Sequence, residues 1–209
     1  AFSQAFVPVL AEYKAQGSAA AVKELVNRVS GVLGGTLLFV TGISIFAAPL
    51  VTTIFAPGFV NQPEKFYLTT EMIRITFPYL FLISMTGFCG AILNSFGRFA
   101  VPAFTPFFLN LSLIFAALIA APWFAEPVFA LAWGVLLAGV VQLLFQLPSL
   151  YRLDLVPRPI WDTSDKGVRR ILKLMVPAMF GVSVSQINLL LDTVLASFFQ
   201  TGSVSWLYY

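Results

Sequence analysis

The stretch LMVPAMFGVSVSQINLLLDTVLASFFQ occupies residues 174–200 and decides what kind of protein this chain is. Its first eighteen residues carry no charge, and an aspartate, Asp192, then stands inside the apolar run. A run of this length and composition is typical of a transmembrane helix. A carboxylate inside such a helix costs at least about 2.5 kcal/mol on insertion scales, so we expect Asp192 to face protein or water and not lipid.

Asp192 shares one face of this helix with two other polar residues. Ser185, Asn188 and Asp192 are spaced i, i+3 and i+7, and Gly181 begins the same stripe one turn earlier. We predict that these side chains line a polar cavity and offer oxygen ligands to a cation, Na⁺ or H⁺, with Asp192 as the site for Na⁺. The alternative is a protonated or hydrogen-bonded acid that only holds neighbouring helices together.

The composition indicates an integral membrane protein. Hydrophobic residues make up 59% of the chain and charged residues 10%, and the mean hydropathy is +0.90, whereas soluble domains carry roughly 25% charged residues. The absence of histidine and the single cysteine, Cys89, exclude a histidine-based or multi-cysteine metal site and a disulfide within one chain. A net charge of +3 is too small to indicate nucleic-acid binding.

The pattern predicts an all-α polytopic bundle with five complete spans and a partial helix at each end. We place the spans within residues 29–63, 75–97, 99–125, 127–151 and 174–200, and the partial helices in residues 1–13 and 204–209. Two further helices are expected to lie on the membrane surface: residues 61–74, with Glu71 and Arg74 one turn apart, and the basic amphipathic segment 166–173. The segment 166–173 is expected to rest on anionic lipid headgroups.

The distribution of cations predicts the orientation. Ten of the twelve Lys and Arg residues lie in the connectors 11–28, 94–101 and 151–173, and the other two are Lys65 and Arg74. By the positive-inside rule these three connectors are cytoplasmic.

Glycines and prolines within the spans suggest how the helices pack. Gly31 and Gly35 form a GxxxG face that we expect to contact another helix closely. Pro78, Pro106 and Pro177 each remove a backbone hydrogen bond, and the bent helices that result are used by transporters. The alternative is that membrane helices simply carry more proline than soluble ones.

Several segments of the chain carry a resemblance to a known family. AFSQAFVPVLAEY at the start, ITFPYLFLIS and GAILNSFGRFAVPAFTPFFLN in the middle, and VSVSQINLLLDT and GSVSWLYY near the end resemble, in order, the MurJ (MviN) family of bacterial lipid II flippases. That family belongs to the multidrug/oligosaccharidyl-lipid/polysaccharide exporter superfamily. The resemblance covers the whole chain.

The resemblance implies two six-helix lobes related by a pseudo-two-fold axis, two further helices, and a central cavity that opens alternately to cytoplasm and periplasm. The chain then runs from the family's second helix to the start of its eighth. Residues 1–173 would form most of the N-terminal lobe, and residues 174–209 would begin the C-terminal lobe. Since the chain starts without methionine and stops at Tyr209 without a terminating motif, we expect it to be part of a longer protein.

Three further residues are candidates for the transport path. Ser3 and Gln4 lie in the family's most recognisable stretch and are predicted at the cavity mouth, with a packing role as the alternative. Arg98, in a short cytoplasmic turn, is predicted to meet a phosphate or the cytoplasmic gate, and the alternative is a positive-inside anchor. By the resemblance, the family's main cavity arginines and acids lie outside this sequence.

The resemblance implies that the substrate is lipid II or a related polyprenyl-pyrophosphate glycolipid, moved across a bacterial inner membrane without enzymatic catalysis or a cofactor. Another exporter of the same superfamily, for drugs or for a different polyprenyl-linked glycan, is the alternative. A membrane enzyme acting on polyprenyl lipids would need clustered acids, and Asp154, Asp162 and Asp165 share a loop with six basic residues. A purely structural role is a third alternative, and Asp192 with the bent helices argues against it.

Overall fold

The computed structural model describes residues 2–196, apart from the side chains of Val184 and Ser185. Within that range the chain is helical, and no strand occurs in the described part. Seven α-helices follow one another: α1 (Phe2–Ala15), α2 (Ala19–Phe46), α3 (Ala48–Phe55), α4 (Pro63–Ser95), α5 (Ala100–Phe115), α6 (Val128–Arg152) and α7 (Lys166–Ala196). Short 3₁₀ turns, Pro57–Phe59 and Ala121–Trp123, and a π-helical turn, Ala116–Ala120, complete the connections.

The prediction of a polytopic helical bundle is confirmed. Four helical segments are long and apolar enough to cross a membrane: Ala19–Phe46, Pro63–Ser95, Ala100–Trp123 and Val128–Arg152. A fifth span is obtained if the two halves of α7, Lys166–Ser183 and Gln186–Ala196, are taken together across a bend of 44°. The described chain therefore contains the predicted spans, although several of their boundaries differ.

The predicted interfacial helix at residues 61–74 is wrong as a separate element. Pro63 occupies the first turn of α4, where its missing N–H costs nothing, and the helix continues through Pro78 to Ser95. At about 1.5 Å per residue, 33 residues reach about 50 Å, which exceeds a hydrocarbon core of about 30 Å. The polar first turns are therefore the extension of a spanning helix, and Glu71 and Arg74 form an ion pair within it.

The span predicted within residues 29–63 is divided in the structure. The helix begins earlier, at Ala19, because the Ser18 side chain accepts a hydrogen bond from the Ala21 N–H and caps it. It ends at Phe46, and α3 begins directly afterwards with a proline in its first turn. The chain turns between α1 and α2 at Gly17, which adopts a left-handed φ of 78°.

The basic segment 166–173 is not a separate helix on the membrane surface. It forms the first turns of α7, and its apolar residues Val168 and Ile171 are 2% exposed and belong to the protein core. Arg170 on the opposite side donates two hydrogen bonds to the Glu12 carboxylate of α1, at 2.6 and 2.8 Å. The amphipathic pattern was correct, but its apolar face packs on protein instead of lipid.

The core lies where α1 crosses α2, α4 and the start of α7. Phe6 and Phe88 are fully buried, with ring centroids 5.1 Å apart, and Phe2 stacks on Phe6 at 5.4 Å. A second contact joins α6 to its neighbours through small residues. A Cβ on Gly139 would lie 2.7 Å from the Tyr79 ring and 2.9 Å from Leu82 Cβ, so glycine permits this close approach of α6 to α4.

The three cation-rich connectors meet at one end of the bundle. Lys14 Nζ donates to the Ser95 carbonyl at 2.8 Å and lies 4.4 Å from the centre of the Phe96 ring. Lys23 Nζ lies 2.7 Å from the Asp154 carboxylate, and this hydrogen bond holds the pKa of Asp154 below its ordinary value. Connectors 11–28, 94–101 and 151–173 therefore lie together, as we expect if all three face the cytoplasm.

Candidate functional site

The polar stripe of α7 keeps the predicted helical register. Asn188 and Asp192 are one turn apart and both are exposed. Neither side chain forms a hydrogen bond or salt bridge with a side chain in the described part of the chain. The third member, Ser185, has a side chain outside the described residues. Thr193, beside the stripe, turns its hydroxyl back to the Leu189 carbonyl at 2.8 Å.

The surface along this stripe is open among the described residues. A Cβ on Gly181, at the start of the stripe, would meet nothing within 4 Å. The first turns of α7 are packed against α1 by Val168 and Ile171, so the helix is fixed at one end and presents its polar face beyond it. Two oxygen-bearing side chains one turn apart on such a face suit a hard cation or a hydrogen-bonding headgroup.

The structure places Ser3 at a polar cleft between α1, α4, α5 and α6. The cleft has a volume of about 340 Å³. The polar residues that line it are Ser3, Thr86, Asn94, Thr105 and Gln146. Gln4, the neighbouring candidate, is exposed on α1. Ser3 also lines an adjoining cleft, of about 360 Å³, beside Met175 and Met179 of α7.

Two buried side chains leave hydrogen-bond acceptors unused in the polar cleft. Gln146 is 1% exposed and Thr86 is 3% exposed. The Gln146 amide nitrogen donates to the Thr86 carbonyl at 3.2 Å, but Gln146 Oε1 and Thr86 Oγ1 have no partner among the described residues. A buried acceptor without a partner costs about 1–3 kcal/mol. These two oxygens therefore lie buried behind the wall of the cleft, which is apolar over most of its surface.

The sequence contained a signal for this cleft that our prediction did not use. Gln142 and Gln146 stand four residues apart in the otherwise apolar helix α6, so they share one face. Both point their amide nitrogens at backbone carbonyls, Gln142 at that of Thr105 at 3.0 Å and Gln146 at that of Thr86. A neutral amide pair does not interrupt an uncharged run, and for that reason the pair was less conspicuous than Asp192.

Arg98 lies in the turn between α4 and α5, at the cation-rich end of the bundle. Its N–H donates to the Leu93 carbonyl at 2.9 Å, and the preceding Gly97 has a left-handed φ of 74°, which closes the helix. The side chain is exposed and forms no salt bridge with a described residue. This position is compatible with both predictions for Arg98, a phosphate contact and an anchor.

The loop acids proposed for the enzyme alternative are engaged by cations or helix ends. Asp154 pairs with Lys23, whereas Asp162 and Asp165 both reach Arg28 of α2. Hydrogen bonds from the Ser164 hydroxyl and N–H lower the pKa of Asp162. These carboxylates are therefore placed as structural partners of α2.

Comparison with known proteins gives the family. The family described as lipid II flippase MurJ matches residues 1–209. A probable lipid II flippase MurJ of Haemophilus influenzae is 47% identical over the whole chain and 42% of its own length. The corresponding protein of Vibrio cholerae is 49% identical over the whole chain and 41% of its own length.

A third relative, the lipid II flippase MurJ of Burkholderia cenocepacia, is 43% identical over the whole chain and 41% of its own length. The chain thus spans about two fifths of the length of these relatives. The predicted resemblance is confirmed along the entire sequence. With its apolar helices and a family match over residues 1–209, the chain is a multi-pass membrane protein that belongs to the lipid II flippase MurJ family.

Proposed function

We propose that the full-length protein containing this chain moves lipid II, the undecaprenyl-pyrophosphate-linked peptidoglycan precursor, from the cytoplasmic to the periplasmic leaflet of the bacterial inner membrane. The observation that carries the proposal is the match of all 209 residues to relatives named as lipid II flippases. The protein acts as a transporter and not as an enzyme.

The proposed mechanism is alternating access between two lobes. Helices α1–α6 contribute to the first lobe, and α7 begins the second. Val168 and Ile171 belong to the same buried core as residues of α1, which supports assigning the first turns of α7, up to residue 173, to the first lobe, and the polar face of α7 lies beyond that contact. A movement of the part of α7 beyond that contact would therefore change the access of water to the cleft that Ser3 shares with Met175 and Met179.

The proposed site for the coupling ion, Na⁺ or H⁺, comprises Asp192 and Asn188, with Ser185 on the same face. The proposal is supported by the helical register, which puts Asn188 and Asp192 one turn apart on α7, and by the cost of leaving an ionised carboxylate in lipid. In the proposed orientation, connectors 11–28, 94–101 and 151–173 are cytoplasmic. Arg98 then lies on the side from which the pyrophosphate headgroup enters.

A complementation experiment tests the proposed function. The full-length protein, expressed in a bacterium depleted of its own lipid II flippase, is expected to restore growth and cell shape. The control is a strain with an empty vector, which should lyse on depletion. Failure to restore growth, with the protein present in the membrane at the level of the replaced flippase, would contradict lipid II as its substrate.

A further inference from the structure

The connection between α6 and α7 lies along α2 instead of looping freely from the end of the bundle. We call residues 156–165 the strap. Within it the Arg158 N–H donates to the Asn27 side-chain oxygen at 2.8 Å, and the Ile160 N–H donates to the Asn27 carbonyl at 3.0 Å. Both bonds therefore end on one residue of α2.

The sequence of the strap suits a non-helical backbone in an apolar environment. In residues 157–160, PRPI, the two prolines have no N–H, and the other two N–H groups are those bonded to Asn27. These four residues thus have no free backbone donor. Backbone outside a helix is tolerated at membrane depth only when its polar groups are satisfied by protein or water. The prolines also reduce the entropy lost when the strap docks.

Two glycines of α2 form the groove that receives the strap. A Cβ on Gly31 would lie 2.2 Å from the Ile160 carbonyl oxygen, and a Cβ on Gly35 would lie 2.2 Å from the Trp161 ring. The predicted GxxxG face is therefore a close-contact face, but the predicted partner was wrong. It receives the strap and not another helix, because the strap returns to α2 before α7 begins.

An ionic cluster fastens the far end of the strap. The Arg28 guanidinium pairs with Asp165 and Glu24, and its Nε lies 3.4 Å from Asp162. Asp165 Oδ1 accepts the N–H groups of Gly167 at 2.8 Å and Val168 at 3.0 Å, so it also caps the start of α7. One arginine thus holds both the strap and the first turn of α7.

The docked strap exposes two apolar side chains at the point along α2 where charged residues give way to uncharged surface. Trp161 is 63% exposed and Ile160 is 47% exposed. Gly35, which the Trp161 ring covers, is seven residues beyond Arg28 on α2, or about 10 Å along the helix. The exposed Leu38 and Phe39 follow on the same helix. Charged groups therefore lie on one side of Trp161, and uncharged helix surface lies on the other.

We propose that the strap is a membrane-interface anchor, in which Ile160 and Trp161 insert among the headgroups and upper acyl chains of the phospholipid bilayer. Tryptophan concentrates at this depth because its ring is apolar and its N–H can reach water. The partner is the bilayer itself, and transport of lipid II is not required for the contact. Arg28 and the glycine groove hold the anchor at a fixed position against α2 and the start of α7.

The test measures the depth of the strap in a membrane. A nitroxide is attached to Ile160→Cys in a full-length protein whose other cysteines, including Cys89, are replaced, and the protein is placed in nanodiscs of phosphatidylethanolamine and phosphatidylglycerol. Collision rates with oxygen and with a water-soluble nickel chelate are then compared. We expect an oxygen-to-nickel ratio several-fold above that of a label at Ser164→Cys and closer to that of a label at Leu38→Cys.

Two results would overturn the anchor. One is a ratio at residue 160 equal to the aqueous ratio at Ser164. The other is exclusion of both reagents, which would show that protein covers this surface instead of lipid.

Substitutions in α2 test how the anchor is held. Two substitutions should each lower the oxygen-to-nickel ratio at residue 160 toward the aqueous value. Gly31→Val introduces a side chain that collides with the Ile160 carbonyl. Arg28→Gln removes the cation that Glu24, Asp162 and Asp165 share. The matched controls are Gly42→Val and Arg152→Gln. A Cβ on Gly42 meets nothing within 4 Å, and Arg152 forms no salt bridge with a described residue. An unchanged ratio in both test variants would contradict the role of this groove and cluster.

Discussion

Replacing Asp192 by alanine in the full-length protein is expected to abolish growth of a flippase-depleted strain while the protein still accumulates in the membrane. The carboxylate is the one charged group in residues 174–200, and the proposed ion site loses its only charged ligand without it. A typical coupling free energy between two ligands is about 1–3 kcal/mol, or about 5–150-fold in affinity. Loss of that coupling should remove an ion-dependent change of this size in the affinity for lipid II.

The controls for this prediction separate charge from packing. Asp192→Glu keeps a carboxylate on the same helical face and should retain part of the transport activity. Asp192→Asn keeps the shape of the side chain but not its charge, and it should lose the activity. Thr193→Ala removes a neighbouring hydroxyl that donates to the Leu189 carbonyl of its own helix. A strain that carries this variant should grow normally. Normal growth of the Asp192→Ala strain at normal expression, with unchanged ion dependence, would remove Asp192 from the mechanism.

Phe88→Ala is expected to cause the largest loss of stability of any substitution discussed for the bundle. Phe88 is fully buried on α4 and contacts the rings of Phe6 at 5.1 Å and Phe2 at 5.8 Å. Removing a buried phenylalanine side chain costs about 3–5 kcal/mol in soluble proteins. We expect the lower end of that range, because lipid is itself apolar and the cost comes mainly from lost packing contacts.

The measurement is the thermal denaturation midpoint of the full-length protein in detergent. Phe46→Ala is the matched control, since Phe46 is 87% exposed at the end of α2 and its removal leaves no cavity among the described residues. The midpoint of Phe88→Ala should fall well below that of Phe46→Ala. Equal midpoints would show that the aromatic contacts between α1 and α4 do not hold the bundle together.

The sequence predicted the existence of the spans better than their ends. Long uncharged runs are visible because lipid excludes charge, and four helical segments long enough to span overlap predicted runs, with a fifth if the two halves of α7 are joined. The ends were missed where a helix continues beyond the membrane, as α4 does through Glu71 and Arg74. Composition marks the point where charges begin, but a helix ends only where its hydrogen bonding is interrupted.

The misplacement of segment 166–173 has a related cause. An amphipathic pattern states that one face is buried and does not state whether lipid or protein covers it. Val168 and Ile171 fit both environments, and only the return of the chain onto α1 and α2 decides between them. The same holds for Gly31 and Gly35, whose close contact was predictable but whose partner, the strap, was not.

The sequence pointed to a candidate site because Asp192 interrupts an otherwise uncharged run. Asp192 is conspicuous because a charge in an apolar run is costly, whereas Gln146 and Thr86 leave the hydropathy of their helices almost unchanged. Their burial comes from tertiary structure, which places both side chains beside Ser3 and leaves Gln146 Oε1 and Thr86 Oγ1 without a partner among the described residues. The roles assigned to Ser3, Gln4, Arg98 and the α7 stripe stay predictions.

The most direct test of the central claim is the water accessibility of the α7 stripe in the full-length protein in intact membranes. Asn188→Cys, in a protein without other cysteines, is treated with a charged methanethiosulfonate, and Ile187→Cys on a neighbouring face of the same helix serves as control. If the stripe lines a hydrated path, the reagent modifies residue 188 rapidly and residue 187 slowly. Equal and slow modification of both residues would mean that the stripe is sealed from water, and it would contradict the proposed transport site.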